Sequence, residues 1–242
     1  MAGVRFDAYI SIGMNQSVAV HFKKDFPVFP LPETMLLPHA MMPLTIFEPR
    51  YIQLADHALD SSGQIAIATY HPEAKLASDA LTPLRDVVCL AQIVQHEKVS
   101  QGYNVLVYGL CRACILEETA PHEETLYRSA KLKPLEGAEG EVDDHYRDEL
   151  QELLHRPNLQ QLDYISTVEQ WINEPELSTH ALFELIGCSI FEDAELRYSL
   201  LAEPSSEVRT MKVLSELNRL DKLIDMTHAQ SQDKWSDGLS WN

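Results

Sequence analysis

The sequence predicts an α+β protein, a β-rich lobe with one packed helix followed by a helical lobe, and three observations carry that expectation. The first is the stretch from Asp25 to Tyr51. It holds six of the thirteen prolines and three of the seven methionines among aliphatic and aromatic side chains, which suits an ordered segment crossing a core in short extended pieces. The second is a pair of long apolar runs, Val87 to Val99 and Tyr103 to Leu116, joined by Ser100-Gln101-Gly102. Both read as strands of a hairpin, and both faces are largely apolar, which places them inside a barrel or between layers. The third is the change after Leu135, where a Gly- and Glu-rich linker gives way to apolar residues at helical spacing.

In the first segment Pro27, Pro30, Pro32, Pro38 and Pro43 interrupt regular structure, because proline lacks the N–H and fixes φ, so edge strands are expected. Pro49 suits the first position of a helix in which Tyr51, Leu54, Ala55, Ala58 and Leu59 share one face. Ser61-Ser62-Gly63 ends that helix, and Gln64 to Tyr70 has the length and β-branched content of a buried strand. His71 to Asp86 reads as a loop, and Tyr127 to Leu132 as a further strand. Helices are expected from Asp143 to Leu154, after Asn158 with Gln161 as a capping box, after a cap at Ser178 or Thr179, and from Glu203-Pro204-Ser205-Ser206-Glu207 onward. In the last of these Val213, Leu217, Leu220 and Ile224 step by 4, 3 and 4, which describes a bundle face rather than a coiled coil. The expected organisation is an extension over 1–24, a β-rich lobe over 25–135, a helical lobe over 141–228 and a flexible tail over 229–242 that contains Trp235 and Trp241. Met14 is an alternative start to Met1.

Two passages resemble a known family. Phe29-Pro30-Leu31-Pro32, Leu37 to Leu44 (LPHAMMPL) and Ile46-Phe47-Glu48-Pro49-Arg50-Tyr51 are similar to the opening of the Lon substrate-binding domain, the N-terminal domain of Lon proteases. Val107 to Ile115 (VYGLCRACI) resembles that domain's hairpin, with two departures: a glycine usual near Cys89 is missing, and Ala113 replaces an aromatic. The resemblance covers roughly residues 25–225 and looks closest to stand-alone Lon-domain proteins. It implies a PUA-like bent β-barrel lobe with one packed helix, then an α-helical bundle lobe. It also implies a polypeptide or protein partner, bound without catalysis and linked to proteolysis. The residues it nominates for peptide binding are Met35, Leu37, His39, Met41, Met42, Phe47 and Arg50. Methionine suits such a surface because its flexible, polarizable side chain adapts to varied apolar ligands.

The motifs of other chemistries are missing from these 242 residues. There is no GxxxxGK[ST] phosphate loop, GxSxG elbow, glycine-rich dinucleotide fingerprint or HExxH pair. Catalytic residues, metal and cofactor are therefore all expected to be none. Cys111 and Cys114 are three apart on a strand, point to opposite faces and read as core thiols. His122-Glu123-Glu124 and the acids around His145 read as solvated faces. Arg50 and Arg112 sit within apolar motifs and call for ion-pair partners, with Glu48 and Glu117 as candidates.

The net charge of −18 is uneven: 14 acids against 11 bases up to Leu135, then 23 against 8. Such a surface repels nucleic acid and anionic membranes, and the first 24 residues lack a signal-peptide pattern, so a cytoplasmic protein is expected. The alternative is a small-ligand binder of the PUA-like kind or an enzyme of unrecognised type. Oligomeric state is not legible.

Overall fold

The computed structural model describes residues 18–74, 81–135, 142–162 and 164–233, with side chains to 228. The first seventeen residues, the linker centre and the tail with Trp235 and Trp241 lie outside the described residues. Six strands form one sheet: β1 Asp25–Leu31, β2 Met41–Ile46, β3 Gln64–Thr69, β4 Val87–Val99, β5 Gly102–Thr119 and β6 Ser129–Pro134. Their order is β2-β5-β4-β3-β1-β6, and β5 also pairs with β6, so β1, β3, β4, β5 and β6 close into a ring. Closure depends on the length of β5. Its first half pairs with β2 (Met41↔Tyr108 to Ile46↔Tyr103) and its second half with β6 (Ala113↔Pro134 to Thr119↔Ser129). Phe26, Val28, Ala66, Ala68, Val88, Leu90, Ala113, Ala130 and Leu132 alternate along the strands into the barrel interior. Ala113, where the family resemblance expects an aromatic, is fully buried there beside Phe26 and Leu90.

β1 contradicts the expectation that proline would confine it to a sheet edge, since it lies between β3 and β6. The reason lies in the direction of each amide. Val28 N–H donates to Arg128 O on the β6 side, so even-numbered amides face β6 and odd-numbered ones face β3. Pro27 faces β3 before that pairing begins at Val28, and Pro30 faces β6 beyond the end of that pairing at Pro27. Neither proline removes a ladder bond. Pro43 does sit on an edge strand, opposite Leu106.

Helix α1 Pro49–Leu59 has Pro at its start and buries Tyr51, Leu54, Ala55 and Ala58. The Tyr51 ring packs on Phe29 of β1 at 4.5 Å between centroids. Gly63 (φ +68°) ends the helix by donating to Ala58 O, in a left-handed conformation that glycine adopts without strain.

The chain divides into two compact units: the described residues up to 135 together with Glu184–Ser206, and those from 142 to Phe183 together with Glu207 onward. The first unit therefore includes the end of α4 (Thr179–Ser189) and α5 Ala194–Leu201, whose Asp193 cap accepts from Leu196 N–H at 2.6 Å. In the second unit α2 His145–Leu154 buries Leu150, Leu153 and Leu154, and α3 Ile165–Ile172 buries Ile165, Val168, Trp171 and Ile172. The Arg147 guanidinium donates to the carbonyls of Ile172 (2.7 Å) and Leu177 (2.5 Å), so a side chain supplies donors after α3 ends. In α6 Ser206–Asp233, Val213 and Leu217 are buried, while Leu220 and Ile224 are half-buried.

One local expectation is corrected. Asn158 and Gln161 form no capping box: residues Leu159–Gln161 make a single 3₁₀ turn, and the Asn158 amide donates to the main-chain O and Oδ1 of Asp221 instead. Asp221 is further held by Arg156 at 2.9 Å, and these donors hold its carboxyl below the usual carboxylate range. Ser178 caps α4, accepting from Ala181 N–H at 3.3 Å.

Candidate functional site

The passage between β1 and β2 lies across β5, and its geometry follows from one glycine. Gly109 N–H donates to Ala40 O and Gly109 O accepts from His39 N–H, both at 2.9 Å. A Cβ on residue 109 would lie 2.3 Å from Leu37 O, so only glycine lets the two backbones approach. This gives the glycine of the Val107 to Ile115 motif its physical reason. The same clamp holds His39 at φ +66°, a left-handed conformation uncommon outside glycine. The Thr69 hydroxyl adds a bond to Thr34 O at 3.0 Å.

With the passage fixed this way, the seven nominated residues separate into three groups. Met35, Leu37 and Met42 point inward and are 2%, 0% and 2% exposed, so they form core rather than surface. His39 and Met41 come together at Tyr108. Met41 is directly opposite Tyr108 across the strand pair, hence on the same face, and His39 Nδ1 lies 3.2 Å from the Tyr108 hydroxyl. Phe47 and Arg50 are at the far end of β2, about 20 Å of extended chain from Met41. Phe47 is 65% exposed, and Arg50 pairs with Glu48 at 2.7 Å while covering the Tyr51 ring.

Tyr108 opens onto a cavity of about 260 Å³ in the first unit, lined also by Val18, Val20, Gln92, Val94, Leu110 and Cys111. Gln92 is opposite Tyr108 on β4, and register shifts at Leu90/Ala91 and Ile93/Gln95 interrupt the ladder around it. Each shift re-aims side chains locally. The segment 18–20 is tied down by Gln64 Nε2, which donates to Ala19 O at 3.1 Å. The result is a half-buried apolar trench with two polar groups at its rim, the Tyr108 hydroxyl and the Gln92 amide. Burial pushes the Tyr108 pKa upward, so its hydroxyl stays protonated through the physiological range. Apolar walls with few polar groups suit binding of apolar side chains.

The sequence did not single out Tyr108, Val94 or Leu110 as surface, because two-sided apolar strands read as fully buried. No local signal separates them from core, since both faces of the hairpin are largely apolar in sequence. Arg112 is a second correction. It does not pair with Glu117, which lies beyond the register shift at Ile115/Glu117 and binds Lys131 on the solvent side at 2.7 Å. Arg112 is fully buried, donating to Glu184 at 2.5 Å and to Leu200 O at 3.4 Å. The signal for Glu184 was a lone acid in an apolar helical run, Ala181 to Ile186.

The four cysteines are free thiols, and burial pushes the Cys188 thiol pKa upward. Among the described residues no cluster of His, Cys, Asp or Glu is arranged to hold a metal ion, and no helix is long and apolar enough to cross a membrane.

Comparison with known proteins agrees with this architecture. Residues 25–219 match the ATP-dependent protease La (LON) substrate-binding domain. The N-terminal domain of Mycobacterium avium complex Lon protease is similar in structure, with a TM-score of 0.59 and 21% identity, over 81% of this chain and 98% of that one. The Lon N-terminal domain protein from Xanthomonas campestris gives a TM-score of 0.52 and 17% identity, over 79% and 98% of the two chains. A search of curated proteins finds no match. With the motif passages at the β2–β5 clamp and the family match spanning both units, the chain belongs to the Lon substrate-binding domain family.

Proposed function

We propose that the chain is a non-catalytic polypeptide-recognition module of the cytosol, acting in protein quality control or proteolysis, and that its docking surface is the trench at Tyr108. The observation that carries this reading is that Tyr108, beside which His39 and Met41 lie, opens onto a cavity of about 260 Å³ lined mainly by apolar side chains. That volume suits one or two bulky apolar side chains from an extended segment, and Met41, opposite Tyr108 on the neighbouring strand, has a side chain able to adapt to different occupants. The acidic surface, −18 overall, supports a polypeptide rather than a nucleic acid as partner.

The test is fluorescence anisotropy with a labelled, unfolded polypeptide of no net charge. Leu110→Glu places a charge in the trench at a residue that is already partly solvent-exposed. Losing one buried apolar contact of about 1.5–3 kcal/mol weakens binding by roughly tenfold or more, with the thermal midpoint little changed. No binding by the natural sequence, or equal binding by Leu110→Glu, would refute the reading.

A further inference from the structure

A second site lies elsewhere in the first unit. The backbone bridge Tyr70↔Leu84 is flanked by bonds from His71 N–H to Pro83 O and from Arg85 N–H to Thr69 O, each at 2.9 Å. Leu84 faces the barrel core, so its neighbours His71 and Arg85 are presented on the opposite side. There they line a cavity of about 290 Å³ with Pro72, Asp86, Glu195 and Tyr198.

The Arg85 side chain is only 8% exposed and its Cζ lies 4.2 Å from the centre of the Tyr198 ring, which fixes the guanidinium plane. Tyr198 is itself held, its hydroxyl accepting from Val87 N–H at 3.2 Å. Arg85 donates from Nη2 to Glu195, whose carboxylate is 66% exposed, while its buried Nε–H has no acceptor among the described residues. Asp86 is exposed and its carboxylate makes no hydrogen bond or ion pair among the described residues. The site thus has a rigid, under-used donor beside an unpaired acid. Two carboxylates against one guanidinium leave it one negative charge in excess.

A complementary ligand carries a cationic donor next to a carbonyl acceptor. We propose that this cavity takes the amino-terminal residue of a polypeptide, with the α-ammonium on Asp86 and Glu195 and the adjacent carbonyl oxygen on the Arg85 guanidinium. A lysine side chain shares the ammonium and lacks the neighbouring carbonyl. The proposal rests on the polypeptide-binding reading for its biological sense, but the site is chemically independent of the trench.

Small probes separate the two. The full chain is titrated calorimetrically with leucine amide, N-acetyl-leucine amide and N-acetyl-lysine amide. Saturable binding is expected for leucine amide, with a loss of about tenfold or more on acetylation, the usual worth of a charged hydrogen bond. N-acetyl-lysine amide is expected to bind clearly more weakly than leucine amide. Asp86→Asn, isosteric at an exposed position, reproduces the loss for leucine amide and leaves N-acetyl-leucine amide unaffected, whereas Leu110→Glu in the trench leaves leucine amide binding intact. No binding of leucine amide, equal binding of its acetylated form, or insensitivity to Asp86→Asn overturns the proposal. Equal binding by N-acetyl-lysine amide overturns the assignment to an amino terminus. Loss of polypeptide binding in Leu110→Glu with leucine amide binding retained separates the fate of the trench from that of this site.

Discussion

Replacing Glu184 by Ala takes from the fully buried Arg112 guanidinium the carboxylate bonded to it. Arg112 has no exposed surface, Glu184 is 3% exposed at the side chain, and the pair is bonded at 2.5 Å. Leu200 O, which also accepts from Arg112 at 3.4 Å, carries no net charge. Removing one member of such a pair costs about 3–5 kcal/mol, because the desolvation of the other is no longer offset. For a chain of this size each kcal/mol lowers the thermal midpoint by about 2–4 °C, so a drop of roughly 6–20 °C is expected by differential scanning calorimetry. The paired replacement Arg112→Met with Glu184→Leu removes both charges and is expected to recover most of the loss. Glu117→Ala is the control. Its partner Lys131 is on the surface, with both side chains more than half exposed, so it is expected to leave the midpoint unmoved. If Glu184→Ala melted with the natural protein, or no worse than Glu117→Ala, the assignment of Arg112 to a buried ion pair would be wrong.

Gly109→Ala drives a Cβ into Leu37 O and is expected to cost about 1–3 kcal/mol, read as a lower urea midpoint at unchanged slope. Asp221 has its pKa lowered by its bond to Arg156 and then by Asn158. Its contribution is therefore present above the unfolded value near 4 and lost as pH falls through the folded value; Asp221→Asn should flatten the acid limb of a stability profile taken from pH 6 to 2. Tyr108→Phe removes the bond to His39 and should cost about 1 kcal/mol or less while speeding amide exchange at His39 and Ala40; unchanged exchange would mean that this bond does not help hold the passage. A thermal-shift screen against common metabolites should give no large stabilisation, whereas a true small-ligand site saturated at a hundred times Kd would add about 2.7 kcal/mol.

Much of the barrel was legible because its signals are local. The β4–β5 hairpin, α1 with Pro49 at its start and the terminating Gly63 each depend on residues close in sequence, and each is found where its pattern places it. What could not be read depends on distant parts of the chain. Pro27 and Pro30 sit in an interior strand only because β3 and β6 cover different halves of β1. Arg112 finds Glu184, 72 residues away, rather than the nearer Glu117. The burial of some of the nominated residues could not be read for the same reason. Met35, Met41 and Met42 look alike in sequence, yet the Gly109 clamp and the alternation of β2 send two into the core and leave Met41 beside Tyr108. Asn158 has the spacing of a cap, and a carboxylate on α6 draws its amide elsewhere.

Methyl NMR of the methionines tests the central claim most directly, because Met35, Met41 and Met42 report three neighbouring environments within one passage. Titrating the [methyl-¹³C]methionine-labelled protein with an unfolded polypeptide should shift the Met41 resonance saturably, while the buried Met35 and Met42 and the second unit's Met211 and Met226 stay in place. Saturable shifts that spare Met41 and appear at Met211 or Met226 would contradict a docking surface at the Tyr108 trench.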